Sequence, residues 1–153
     1  MNKKNILVGQ SGGPTAVINA SLYGAVKAFR ESGTDGHVLG MINGIEGFLA
    51  DHVMDLSTDL SEEELELLKL TPAAYLGSCR YKLPADLESE VYPAIFDNFR
   101  EMNIGYFLYV GGNDSMDTVD KLSRYAEKIG SDVKFIGIPK TIDNDLVLTD
   151  HTP

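Results

Sequence analysis

A parallel α/β fold, with helices on both faces of one sheet, is what this sequence predicts. Three observations carry that expectation. Short β-branched or aromatic runs alternate with apolar-periodic helical stretches. Two of those runs break into glycine pairs that open a helix, and no two runs are joined by a long alternating hairpin. Strands and helices in alternation imply right-handed crossovers and parallel strands, and hence a Rossmann-like three-layer sandwich.

The elements follow in chain order. Ile6-Leu7-Val8, closed by Gly9, reads as a strand, and Gly12 and Gly13 precede an apolar-periodic segment from Thr15 to Ser32. Pro14 suits a first helical turn, where its missing N–H has no intrahelical partner, and Gly33 suits the stop. His37 to Met41 reads as a second strand. The loop Asn43-Gly44-Ile45-Glu46-Gly47-Phe48 reads as an ordinary turn, or as a place where glycine admits a ligand or a neighbouring loop. Ser61-Glu62-Glu63-Glu64 is a capping box whose carboxylates lie at the positive end of a helix running to about Lys69, with Leu65, Leu67, Leu68 and Leu70 on its apolar side. Residues 71 to 84 are loop-like. Residues 86 to 102 form an amphipathic helix with Leu87, Val91, Ile95 and Phe99 at helical spacing. Tyr106 to Val110 is a strand ending in Gly111-Gly112-Asn113-Asp114-Ser115, before a helix from about Met116 to Ile129. Val133 to Ile138 reads as a buried strand that delivers Pro139-Lys140-Thr141-Ile142-Asp143-Asn144-Asp145 to its carboxyl end.

Composition bounds the function classes. The 153 residues are about one domain, 43% hydrophobic and 24% charged, as in a globular protein. A net charge of −10 argues against non-specific nucleic-acid binding, which needs a basic footprint. Phosphate binding remains open, because backbone N–H groups and a few placed cations set the local field. The single cysteine, Cys79, excludes an internal disulfide, fits a reducing compartment and reads as structural. The short apolar run after Met1-Asn2-Lys3-Lys4-Asn5 is too short for a membrane span or a signal core, so the expected location is the cytoplasm, with no membrane partner. No repeat or low-complexity tract occurs. The chain stops at His151-Thr152-Pro153 within polar sequence, which reads as a partial sequence.

Chemistry concentrates where strands meet loops. In an open α/β sheet, ligands sit at the carboxyl ends of the strands. The loop from Lys140 to Asp145 offers a cation, a hydroxyl and two carboxylates two residues apart, a set suited to phosphoryl transfer, although a solvated acidic turn has the same composition. The two glycine-rich turns aim helix-terminal N–H groups at the sheet's crest. Neither has the spacing of a Walker loop or a dinucleotide fingerprint. Arg80, in Gly77-Ser78-Cys79-Arg80, is either a phosphate clamp with a two-pronged guanidinium or a solvated loop arginine.

Three stretches in order and spacing, Ser11-Gly12-Gly13, Gly111-Gly112-Asn113-Asp114-Ser115 and Pro139-Lys140-Thr141-Ile142-Asp143-Asn144-Asp145, resemble the motifs of the 6-phosphofructokinase family. The resemblance covers nearly the whole chain and implies the amino-terminal, donor-phosphate-binding domain of a longer enzyme whose sugar-phosphate domain is absent. It implies that Asp143 is the base that takes the proton from the 1-hydroxyl of fructose 6-phosphate, that Thr141 holds the sugar, and that Asp145 supports the metal or the orientation of Asp143. Gly12, Gly13, Gly112 and Arg80 match donor-phosphate positions. ATP-using members have glycine where this chain has Asp114 and Lys140. A carboxylate at 114 would stand in the place of the nucleotide's α-phosphate, and a lysine at 140 adds positive charge at the transferred group. Both departures resemble the diphosphate-dependent branch, whose reaction is reversible and uses Mg2+. Asn113 replaces a metal-associated aspartate, so the resemblance leaves the metal to a neutral oxygen, to water, or partly to Asp114. Pro14 departs from the aspartate common in ATP enzymes. The resemblance further implies a homo-oligomer that completes the sugar site from a neighbouring subunit. An ATP-dependent enzyme and a non-catalytic phosphate-binding domain are the alternatives.

Overall fold

The computed structural model describes residues 3–141 and 147–148. In chain order the elements are β1 (Asn5–Gln10), α1 (Ile18–Ser32), β2 (Val38–Met41), α2 (Gly44–Leu49), β3 (Val53–Asp55), α3 (Glu62–Leu70), α4 (Val91–Glu101), β4 (Ile104–Gly111), α5 (Asn113–Ile129) and β5 (Lys134–Pro139). The strands form one sheet in the order β3-β2-β1-β4-β5. β1 pairs in parallel with both β2 and β4, and β4 pairs in parallel with β5.

The expected three layers are present. Alternation along each strand sends successive side chains to opposite faces. On one face Leu7, Met41 and Phe107 pack with Ile45 and Phe48 of α2, Ile95, Phe96 and Phe99 of α4, and Leu122 of α5. On the other, Val8 and Val38 pack with Leu22 and Val26 of α1 and Leu65 and Leu68 of α3. The first face is aromatic. Phe99 lies within 6.2 Å, centroid to centroid, of Phe48, Phe96, Phe107 and Phe135.

Several elements differ from the sequence expectation. β3 is an antiparallel edge strand on β2, so the sheet is parallel-dominant and mixed. The loop at 43 to 48 is the short helix α2, entered through Asn43 in the left-handed conformation. An added Cβ at Gly44 would stand 2.7 Å from Cys79 Sγ and 2.8 Å from the Tyr109 hydroxyl, so its glycine serves close approach of a neighbouring loop. α1 starts at Ile18, which leaves Pro14 outside the first helical turn. α4 is shorter than expected, and α5 starts earlier, directly after Gly112. Only Leu65 and Leu68 of α3 are buried; Leu67 and Leu70 are exposed. β5 is an edge strand with Lys134 and Ile136 exposed, rather than a fully buried one. The capping box at Ser61 and the left-handed stop at Gly33 occur as expected.

A buried amide pair fixes a long loop that reaches the sheet's crest. Gln10, fully buried at the end of β1, donates to Ile18 O (3.2 Å) and Asn19 Oδ1 (3.0 Å), and its Oε1 accepts from Leu76 N–H (2.9 Å). Asn19 donates to Thr71 O (2.9 Å) and accepts from Tyr75 N–H (2.8 Å). The loop is thereby paired as a strand would be. Replacing Gln10 by leucine leaves the Leu76 N–H without its acceptor, a buried loss of about 1–3 kcal/mol. We expect Gln10→Leu to lower the urea midpoint at unchanged slope and to speed amide exchange at Tyr75 and Leu76. Unchanged exchange there would mean that the loop is held by something else.

Candidate active site

The sheet reverses its winding between β1 and β4. From β1 the chain crosses to β2 on one side, and from β4 it crosses to β5 on the other. Strand carboxyl ends at such a switch point splay apart and leave a crevice. Here it is a cleft of about 400 Å³ lined by the turns after β1, β4 and β5 and by the loop at 79 to 81.

Each wall follows from local sequence. After β1, Gly12 takes φ +76°, a left-handed conformation that a Cβ would strain, and this turns the chain back across the crest. The turn is locked from the opposite loop: Ser78 Oγ donates to Gly12 O at 2.6 Å, and Ser11 Oγ donates to Cys79 O at 3.1 Å. After β4, Gly111 leaves no room for a side chain, since an added Cβ would lie 2.1 Å from Ser115 Oγ. α5 then begins at once, with Asn113 and Asp114 in its first turn at the cleft. The opening N–H groups of a helix lack intrahelical partners and favour anions. α1 starts five residues beyond Gly13 and supplies no such terminus at the glycines themselves, so one helix end, rather than two, faces the cleft.

Lys140 is the most constrained charge in the site. Its backbone N–H donates to Gly111 O at 2.9 Å, continuing the β4–β5 ladder past the last strand residue. The residue is only 9% exposed, and its ammonium donates to Gly13 O. An added Cβ at Gly12 would stand 3.6 Å from that nitrogen. Burial pulls the Lys140 pKa below its ordinary value of 10.5. Beneath the cleft, Tyr109 is held protonated, because burial pushes its phenol up.

Of the residues expected at the site, Gly12, Gly13, Arg80, Gly112, Asn113, Asp114 and Lys140 line the one cleft. Thr141 follows Lys140 and is half-buried. Asp143 and Asp145 lie outside the described residues. The cleft also takes in Cys79, Tyr81 and Ser115, and Asp114 is ion-paired to Lys82 at 3.1 Å. Cys79 is a free, buried thiol whose Sγ lies 3.9 Å from the Tyr109 hydroxyl. Tyr81 and Lys82 are adjacent to Arg80 in sequence, and that adjacency was the available signal for them.

A family model described as phosphofructokinase matches residues 5–153. The chain belongs to the phosphofructokinase family. It is 42% identical over 153 residues to the pyrophosphate–fructose 6-phosphate 1-phosphotransferase of Rhodospirillum rubrum, covering all of this chain and 37% of that protein. The protein of the same name from Halomonas elongata is 44% identical over 156 residues, again with 37% of its length covered. The crystal structure of a pyrophosphate-dependent phosphofructokinase from Nitrosospira multiformis superposes with a TM-score of 0.90 at 41% identity, over 99% of this chain and 37% of that one. The chain thus spans about 37% of the length of these phosphofructokinase relatives. No helix among the described residues is long and apolar enough to cross a membrane.

The lowered pKa of Lys140 has a definite sign in stability. Between its folded value and 10.5, the unfolded chain binds more protons than the folded one, so this group makes stability rise with pH across that window. Below the window the charged ammonium is buried at a cost. We expect Lys140→Met to flatten that alkaline rise in urea-denaturation free energies measured from neutral pH to pH 10.5. An unchanged slope would mean that Lys140 is not the group responsible.

Proposed function

We propose that this chain is the donor-phosphate-binding part of a diphosphate-dependent phosphofructokinase, which moves a phosphoryl group from diphosphate to the 1-hydroxyl of fructose 6-phosphate. The observation that carries this reading is that Lys140 and Asp114 share one cleft at the sheet's switch point. A buried ammonium against Gly12 and Gly13 supplies positive charge where phosphate oxygens would lie. The carboxylate in the first turn of α5 stands where a longer, nucleotide-bearing donor would extend. Relatives named for this reaction match the whole chain, which supports the same donor.

The roles follow from placement and chemistry. Gly12, Gly13 and Gly112 let the donor approach backbone closely, and Arg80, exposed at the cleft, grips phosphate oxygens with its planar fork. Thr141 holds the sugar, and Asp145 supports the metal or the orientation of Asp143. Asp143 is the general base that accepts the hydroxyl proton. Phosphoryl transfer depends on such positioning and on neutralising charge at the transferred group.

Magnesium fits the donor set present. Among the described residues no group of three His, Cys, Asp or Glu side chains forms a closed metal site. Mg2+ does not require one, because it keeps several waters and takes one or two carboxylates plus substrate phosphates. Asn113 and Asp114 bring an amide and a carboxylate to the cleft and would hold it. When bound, the metal neutralises charge on the phosphates. The full-length enzyme works as a homo-oligomer in the cytoplasm, with the 6-phosphate of the sugar gripped outside this chain.

The test is fructose 1,6-bisphosphate formation by the full-length protein with fructose 6-phosphate and magnesium, supplied with diphosphate or ATP. We expect turnover with diphosphate alone. Turnover with ATP alone would overturn the donor assignment, and none with either would leave a non-catalytic phosphate-binding domain. Asp143→Asn is expected to reduce turnover by about 10²- to 10⁴-fold with donor affinity retained. Full activity in that variant would remove Asp143 from the role of base.

A further inference from the structure

An acidic residue in an anion-binding cleft is an electrostatic conflict. Asp114 lies in the first turn of α5, where the helix dipole stabilises its carboxylate. The same carboxylate repels an incoming phosphate and uses part of the field that the helix end would offer it. Its ion pair with Lys82, Nζ to Oδ2 at 3.1 Å, answers this conflict.

Lys82 is not a wandering surface lysine. The backbone on both sides of it is pinned. Before it, Cys79 O accepts from Ser11 Oγ at 3.1 Å. After it, Leu83 is buried and its carbonyl accepts from Lys121 Nζ at 3.0 Å, and Pro84 O accepts from the Tyr92 hydroxyl at 2.5 Å. Lys121 lies two turns beyond Asp114 on α5. The loop is thus tied to the helix that carries Asp114, and Lys82 is presented to the helix's first turn from a fixed origin.

We infer that Lys82 is a positioning residue of the donor site, which acts through Asp114 by cancelling its charge while no metal is bound there, so that a carboxylate can stand in the cleft without weakening the binding of free diphosphate. This rests on the reading of the cleft as a diphosphate site. The local sum explains the need. Among the described residues the cleft holds Lys140 and Arg80 against Asp114, and Lys82 restores the cation that Asp114 offsets. Both partners are largely exposed, 70% and 73%, so the effect belongs to the approach and binding of an anion rather than to fold stability.

The experiment is a double-mutant cycle read by titration calorimetry with magnesium-free sodium diphosphate on the full-length protein: wild type, Lys82→Ala, Asp114→Asn and both together. We expect Lys82→Ala to weaken binding about fivefold, to lose most of that effect in the Asp114→Asn background, and to be rescued by Lys82→Arg. The effect should shrink as salt is raised from about 0.01 M to 1 M, because exposed charges are screened. Equal weakening in both backgrounds would make Lys82 a direct phosphate ligand and overturn the inference, as would no weakening at all. Wild type that binds diphosphate only when magnesium is supplied would overturn the inference, and wild type that binds it neither with nor without magnesium would sink the donor reading itself, an outcome separate from the others.

Discussion

The cleft depends on two buried amides. Gln10 ends β1, Asn19 lies in the first turn of α1, and between them they satisfy backbone groups at Ile18, Thr71, Tyr75 and Leu76. A loop crossing the crest of a sheet would otherwise bury polar backbone without partners, which costs more than most single contacts return. Because these amides take the place of a strand ladder, the loop arrives at residues 79 to 81 in a fixed register. Arg80, Tyr81 and Lys82 are then held at the site by the same bonds that close the core beneath it.

Close approach is the second constraint, and it runs from the glycines to the chemistry. Gly44 lets α2 lie against Cys79 and Tyr109, and Gly111 lets Ser115 fold under the start of α5. Neither glycine touches the cleft as a ligand would. Each removes a Cβ whose presence would push a wall of the cleft outward by roughly 1 Å. The left-handed turn at Gly12 has the complementary effect, since it brings its own backbone to the ammonium of Lys140.

Much of this was legible in the sequence, for a physical reason. Strand, glycine turn and helix are consecutive residues, so Gly12, Gly112 and Lys140 could be set at one sheet edge from order alone. The capping box at Ser61 and the stop at Gly33 were legible in the same way. What was not legible depended on neighbours distant in sequence. β3 is three residues, Val-Met-Asp, too short for alternation to show, and it exists through pairing with β2. Two glycines hid the helical character of α2. Leu67 and Leu70 have the same composition as their buried neighbours, and only the placement of α1 against α3 decides which face is covered. β5 read as buried because Phe135, Ile136 and Ile138 are apolar, but a strand's apolar composition does not say whether it has one neighbour or two. The ion pair of Lys82 with Asp114 spans 32 residues and had no local signature.

The local charge distribution shows how a chain of net charge −10 could take the proposed phosphate ligand. At physiological salt the Debye length is about 8 Å, so distant carboxylates contribute little to the potential in a cleft. What counts is the near field, which among the described residues comes from the opening of α5, the desolvated ammonium of Lys140, the guanidinium of Arg80 and the Lys82–Asp114 pair. Of these, Lys140 is the most exacting. Burial penalises its charged form, and among the described residues the Gly13 carbonyl answers it with a dipole rather than a full counter-charge. An ammonium held this way retains unsatisfied attraction for an anion, whereas one neutralised by a carboxylate would not. Among the described residues Lys140 meets a carbonyl and no carboxylate, an arrangement costly to the empty fold and favourable to an occupied one, and this supports the proposal that Lys140 is a binding group rather than half of a structural ion pair.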